Sequence, residues 1–342
     1  MDDLVYFYPR GHEAHFERGH PERPERVEAV RNALQAQDWW DTFPKLPPVK
    51  LPQAILHAVH TPGHLSTLQA ASLHAQHLDM DTYTTPSSWS LALNAAGGAA
   101  AVAGRVWQRS ARRGFALTRP PGHHATRDHA MGFCLLNNIA LAAEWLSQQE
   151  RARRLAIVDL DLHHGNGTQD IFWERPEVLY ISTHQSPLYP GTGNLNETGA
   201  GAGVGANANF PLPPGSGDTA FRTVMDELIL PLLERFSPEM LLVSVGYDTH
   251  WRDPLGSLQL SALGYYRLIA GLVNFADDHC HGRIALFLEG GYDLDAMAYC
   301  GQANVAALLE NPWDDPLGPA PFAENGAGQA MILQAQQIWG LK

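Results

Sequence analysis

Four strand-like runs in this chain each end on polar groups of the kind that serve metal-assisted hydrolysis. Phe115-Ala116-Leu117-Thr118 leads into Arg119-Pro120-Pro121-Gly122-His123-His124, and Leu155-Ala156-Ile157-Val158 leads into Asp159-Leu160-Asp161-Leu162-His163-His164-Gly165-Asn166-Gly167. Leu241-Leu242-Val243-Ser244-Val245 leads into Gly246-Tyr247-Asp248, and Ile284-Ala285-Leu286-Phe287-Leu288 leads into Glu289-Gly290-Gly291-Tyr292-Asp293. Such runs alternate with helical stretches through most of the chain. That order indicates an α/β fold, a mainly parallel sheet with helices on both faces. Ligands of such sheets sit at the carboxyl ends of the strands. The four ends would therefore gather a histidine pair, an Asp/His cluster, an aspartate and a tyrosine.

The rest of the chain reads as support for that sheet. Residues 4–8 read as a first strand. Val27, Val30 and Leu34 recur at helical spacing within a helix expected over 26–40. A proline-rich connector follows over 44–52. The Ala- and Gly-crowded stretch 91–107 reads as a helix packed closely on the sheet, and 135–148, 221–236 and 261–279 read as further helices. The Gly- and Pro-rich segment 191–217 reads as a loop or active-site rim. Residues 311–328 read as loop, and 329–339 as a closing helix. With no internal repeat and no boundary before residue 311, the expectation is one domain over 1–342.

Asp159, Asp161 and His163 are spaced two apart, so an extended chain points all three to one side. Asp161 and His163 with Asp248 would make three protein ligands and leave a position open for water, the catalytic pattern for zinc. Such ligands also suit iron(II), cobalt or manganese. The alternative is that Asp159 and Asp161 cap a helix beginning near Gly165. His123 and His124, after a rigid Pro-Pro-Gly turn, could act as general base and electrostatic partner. Tyr292, after two glycines, could donate to an oxyanion. Taken alone, each also reads as an ordinary loop residue.

Together these segments look like histone deacetylase motifs, in family order. They are Arg119 to Ala125, Gly132-Phe133-Cys134, Asp159 to Gln169, Pro190-Gly191-Thr192-Gly193, Gly246 to His250, Asp253-Pro254-Leu255-Gly256 and Glu289 to Tyr292, with His20 to Arg26 before them. Asn166 and the Pro-Leu-Gly segment resemble the class II branch and its bacterial amidohydrolases.

The resemblance implies a single-domain arginase–deacetylase fold with a sheet of about eight strands. It implies a zinc ion on Asp161, His163 and Asp248, and a narrow acyl-lysine tunnel formed by Gly132, Phe133, Tyr189 and Leu255. Arg26 would stand near an acetate-release cavity. A potassium ion would bind through Asp159, Ser182 and Thr183, with backbone oxygens of Asp161 and His163. His123 would lean on Asp159 and His124 on Asn166. A carboxylate favours a charged imidazole more than an amide does, so His124 is expected to be the neutral base and His123 the cationic partner. The expected activity is zinc-dependent hydrolysis of an acetyl amide on a cationic amine, N-acetyl-lysine foremost, releasing acetate. Alternatives are an acetylpolyamine amidohydrolase, a longer-acyl deacylase, a non-catalytic acyl-lysine-binding module and a two-metal arginase-like hydrolase. Glu17, Glu22, Asp79 and Asp81 are candidate acids at the tunnel mouth, none of them assignable from sequence.

A net charge of −13 opposes general nucleic-acid binding and suits a cationic substrate. Cys134, Cys280 and Cys300 have no CxxC spacing, which argues against disulfides and a thiolate metal site. The acidic Met1-Asp2-Asp3 start does not resemble a signal peptide, and no apolar run approaches the roughly 20 residues of a membrane span. A cytoplasmic protein is expected, with no membrane partner and an oligomeric state the sequence leaves open. His74 and His77 read as surface or packing residues, Gly199 to Gly205 as a flexible loop, and Cys134 as a small packed residue. Arg109, Arg112 and Arg113 read as a solvated helix end.

Overall fold

The computed structural model describes residues 1–324, 326 and 328–341. Its centre is one eight-stranded sheet: β1 (Asp2–Phe7), β2 (Lys45–Leu46), β3 (Ala111–Ala116), β4 (Leu155–Asp159), β5 (Val178–Gln185), β6 (Asn207–Leu212), β7 (Met240–Val245) and β8 (Ile284–Leu288). The order is β2-β1-β3-β8-β7-β4-β5-β6. Every neighbouring pair is parallel. The four strands singled out by sequence, β3, β8, β7 and β4, are consecutive neighbours in the middle of this sheet. Adjacent strands lie about 4.8 Å apart, so their carboxyl ends fall within about 15 Å of one another.

The apolar runs are continuous because both faces of the sheet are buried. Along β4, Ala156 and Val158 enter one core and Leu155 and Ile157 the other. Along β8 the split is Ile284, Leu286 and Leu288 against Ala285 and Phe287. Helix Ser88–Trp107 lies on the second face, where its small residues matter: a Cβ at Gly98 would collide with the Phe7 ring. Helices Glu25–Gln35, Ala262–His279 and Leu294–Leu308 contribute buried residues to the first core. Among the described residues no helix is long and apolar enough to cross a membrane.

Several local expectations change. The helix expected over 26–40 stops at Gln35; Asp38, at φ 57, breaks it before the short helix Trp39–Thr42. The connector 44–52 contains edge strand β2, and the presumed loop 191–217 contains strand β6 and a 3-10 turn at Gly201–Gly203. β6 was hidden because Asn207 and Asn209 use their side chains toward Gln169 rather than an apolar core. Helices Gln53–Val59, Pro62–His74 and Leu294–Leu308 were not anticipated. The helix ends at His74, and His77 instead pairs with Glu17 at 2.7 Å. Arg112 and Arg113 belong to β3, not to a helix end, and the Arg113 side chain is fully buried. Part of the loop expected over 311–328, residues 325 and 327, lies outside the described residues.

Candidate active site

β4 ends at Asp159, so Asp161 and His163 are not aligned by strand alternation. Two consecutive side-chain turns place them instead. Asp159 Oδ1 accepts the Asp161 N–H at 3.2 Å, and Asp161 Oδ1 accepts the His163 N–H at 2.8 Å. This is the Asx habit of bonding two residues onward. Neither aspartate caps the following helix Asn166–Phe172, whose N-cap is Gly165.

Asp248 arrives from the end of β7. Its Oδ1 accepts the Leu162 N–H at 3.1 Å, while its buried Oδ2 has no hydrogen-bond partner among the described residues. That free oxygen lies 3.2 Å from His163 Nδ1, which is 3.3 Å from Asp161 Oδ1. Ligand atoms of the three residues all lie within 4.8 Å of one another. Glycines make room: a Cβ at Gly246 would strike Asp161, and one at Gly290 would strike Asp248. The Gly290 N–H in turn holds Asp161 Oδ2 at 2.8 Å.

His123 and His124 follow β3, their rings 4.0 Å apart. His123 Nδ1 lies 3.1 Å from Asp159 Oδ2, which also accepts from the Tyr180 hydroxyl. His124 Nδ1 lies 2.8 Å from Asn166 Oδ1. Burial would lower both imidazoles. For His123 the Asp161 and Asp159 carboxylates outweigh it and hold the ring up to about 10. For His124 burial is reinforced by His123 and His163, so the ring is held well below its ordinary range. With the amide NH₂ of Asn166 turned to Met131, its oxygen accepts from Nδ1–H, and the lone pair of His124 resides on Nε2.

The wall is aromatic. Tyr189 packs edge-on against His124 at 5.2 Å, and Phe133 against Tyr292 at 5.8 Å. Phe133 stands at φ 68, a left-handed conformation costly for a side chain of this size. The Thr82 hydroxyl anchors it by accepting its N–H at 3.2 Å. Gly132, at φ 55, has no space for a Cβ, which would meet the His124 ring at 2.5 Å. Tyr189 and Leu255, the residues expected at the rim, are exposed. Burial, with Asp81 next, raises the Tyr189 phenol, placing acid near this rim. Glu22, one of the candidate mouth acids, is fully buried and cannot serve there.

Tyr292 follows the turn after β8. Burial, with Asp248 and Asp161, outweighs Arg26 and keeps its phenol protonated far above neutrality. Three acids, none of them expected in this role, hold these groups in place. Glu289 Oε2 accepts the N–H groups of Gly122 (2.6 Å) and His123 (3.1 Å), and Oε1 accepts from Ser244 Oγ. Asp253 Oδ2 accepts the Tyr292 N–H at 2.6 Å, while Oδ1 accepts that of Leu255 at 3.0 Å. Glu22 binds two buried arginines. Of these, Arg26 donates to the carbonyls of Glu289 and Gly291 beside Tyr292, and its guanidinium lies 4.9 Å from the Tyr292 ring centre. The only sequence signal for Glu289 was a charge placed directly after an apolar strand.

Ser182 pairs in register with Asp159, so the potassium candidates Asp159, at the end of β4, and Ser182 and Thr183, within β5, lie on adjoining strands. The Gly193 carbonyl fixes the proton of His184 on Nε2. Burial and His164 keep this ring neutral, so Ser182 Oγ donates to Nδ1 at 2.9 Å and keeps its lone pairs. Cys134 is buried, and burial raises its thiol well above the ordinary range, which leaves it unreactive.

Residues 20–308 match the family model described as histone deacetylase domain. A probable deacetylase of Archaeoglobus fulgidus is 41% identical over 292 residues, 84% of this chain and 81% of that protein. A histone deacetylase-like amidohydrolase of Pseudomonas aeruginosa is 35% identical over 303 residues, 87% and 80% of the two chains. The crystal structure of the HDA15 HD domain superposes with a TM-score of 0.90 at 33% identity, covering 99% of this chain and 95% of that one. By sequence over most of its length and by fold over nearly all of it, this chain belongs to the histone deacetylase family of hydrolases.

Proposed function

We propose that this protein hydrolyses acetyl amides carried on cationic amines, with N-acetyl-lysine as its main substrate and zinc as its metal. The observation that carries the reading is the partnerless, buried Asp248 Oδ2 facing His163 Nδ1. Separations of 3.2 and 3.3 Å about that nitrogen match the edge of a tetrahedron with metal bonds of about 2.0 Å. Asp161, His163 and Asp248 would hold the ion, which when bound polarises the amide carbonyl and makes water nucleophilic. A potassium ion at Asp159, Ser182 and Thr183 would be structural.

The chain's own residues supply the proton transfers. His124, neutral and with Nε2 unprotonated, accepts the proton of the attacking water. His123, charged through Asp159 and Asp161, favours the negative charge that develops. The Tyr292 hydroxyl donates to the oxyanion, held in place through Asp253 and Arg26. His124 then returns a proton to the leaving amine, and acetate departs toward Arg26. Phe133 and Tyr189 flank the acyl-bearing methylene chain, with Gly132 allowing their close approach and Leu255 at the mouth.

The acid beside Tyr189 supports a second reading, an acetylated polyamine whose distal charge meets Asp81. The test is metal-analysed protein assayed on acetyl-lysine peptides, acetylspermidine, acetylputrescine and longer acyl-lysines. One zinc per chain with fastest turnover of acetyl-lysine peptides supports the first reading, and preference for acetylpolyamines supports the second. Zinc-loaded protein that cleaves no acyl amide sinks both, and two tightly bound ions per chain favour arginase-like chemistry.

A further inference from the structure

At the opposite end of the sheet from the candidate active site, arginines converge. β3 opens at Ala111 and β8 at Ile284. Around those starts Arg109, Arg112, Arg113, Asp277, His281 and Arg283 line a cavity of about 420 Å³. In a chain of net charge −13, four guanidinium groups gather here around Asp277, with Glu310 and Glu239 at the edge.

These carboxylates leave part of the cluster unpaired. Arg113, fully buried, donates to Asp277 Oδ1 at 2.7 Å and to the Gly282 carbonyl at 2.6 Å, but its buried Nε has no partner among the described residues. Arg112 reaches Glu310 at 2.7 Å. Arg283 donates Nε to the Trp107 carbonyl at 3.1 Å and lies 4.3 Å over the Trp107 ring. Among the described residues the Arg109 side chain has no hydrogen bond or ion pair. Burial lowers the Arg113 guanidinium, and Arg112 adds to this against Asp277; burial and then Arg109 lower Arg283. For Arg283 the Arg109 guanidinium outweighs the nearby Glu239, whereas Asp277 relieves Arg113 of more than Arg112 imposes.

We propose that this cavity is an anion site for a compact polyanion bearing two or more phosphate groups. Guanidinium forks pair bidentately with phosphate oxygens, so several can share one ligand without crowding. A ligand with two or more phosphate groups can reach guanidinium groups on both strand starts at once. No Trp, Tyr or Phe among the described residues lines the cavity, and the nearby Trp107 face is already covered by Arg283. Among the described lining residues a nucleobase would find no aromatic ring larger than that of His281 to stack on, which favours an inorganic-type diphosphate or triphosphate over a nucleotide. The five or six residues of β3 and β8 separate this cavity from His123 and Tyr292 by about 17–20 Å. An occupant therefore does not compete with substrate.

The test is calorimetric titration of the metal-loaded full chain with inorganic pyrophosphate and tripolyphosphate at low ionic strength, with sulfate at matched ionic strength as control. The expected result is saturable one-site binding, weakened about tenfold or more in Arg109→Ala/Arg283→Ala, because each lost charge-assisted bond is worth that much. Bound metal and acetyl-amide hydrolysis of the double variant should equal wild type. Arg109→Glu, which removes no contact within the protein, should weaken binding as well and separates ligand recognition from folding. Equal affinity of wild type and both variants overturns the proposal, since the heat then arises from chelation of the active-site metal. Absence of saturation, or sulfate binding as tightly as pyrophosphate, overturns it too.

Discussion

Replacing Glu22 by glutamine removes the one carboxylate between two buried guanidinium groups. Glu22, Arg26 and Arg119 are all 0% exposed. Glu22 Oε1 accepts from Arg26 Nη1 at 2.9 Å and from Arg119 Nε at 2.7 Å, and Oε2 accepts from Arg119 Nη2 at 3.1 Å. Glutamine keeps the shape but leaves two charges facing neutral dipoles and rings, and its NH₂ is a donor set against donors. Breaking a buried pair in this way costs about 3–5 kcal/mol. The carboxyl's own titration gives a similar figure. Burial would raise it, but Arg119 and Arg26 draw it from the ordinary 4.5 down to about 2. That difference corresponds to about 3 kcal/mol. The sign follows: this stabilisation is complete above about pH 4.5 and fades as pH falls toward 2. A chain of 342 residues has an unfolding entropy near 0.7 kcal/mol/K, so about 3–5 kcal/mol lowers Tm by about 4–7 °C. The assay is calorimetric melting of both proteins at neutral pH and in acid, where their difference should shrink. A neutral-pH Tm within about 1 °C of wild type would refute the reasoning.

Other outcomes follow from the site. His124→Ala should lose far more turnover at neutral pH than His123→Ala, because only His124 presents a neutral Nε2; the reverse order in steady-state assays removes the role assignment. Tyr292→Phe should lower kcat by about 10²–10³ with little change in KM, and near-full turnover would eliminate its oxyanion role. Asp253→Ala should lower kcat about tenfold or more, because the Tyr292 N–H loses its acceptor, while the acetyl-lysine KM stays near wild type. A parallel rise of KM alone would make Asp253 a rim residue only. Dialysis against a strong chelator should abolish hydrolysis and added zinc restore it, with activity of the metal-free protein counting against the proposed ligands.

The active-site groups were legible because each lies directly after an apolar run, where a parallel strand must end. Legibility stopped where partners are distant in sequence. Arg119 lies 97 residues from Glu22, and Ser244 lies 45 from Glu289. No periodicity or spacing links such positions. β6 was missed because its buried polar residues, Asn207 and Asn209, carry no apolar signature. The basic run at Arg109, Arg112 and Arg113 looked solvated because a one-dimensional reading cannot know that β8 brings Arg283 alongside it.

Local sequence thus determined which groups stand at which strand ends, since strand termini and turn chemistry depend on neighbouring residues. Strand order is a matter of long-range packing, and only the tertiary structure made β3, β8, β7 and β4 adjacent. That adjacency turns four separate motifs into one site. It also decides the unequal states of His123 and His124, because burial and the Asp159 and Asp161 carboxylates brought from the end of β4 charge His123, and that charge together with burial keeps His124 neutral.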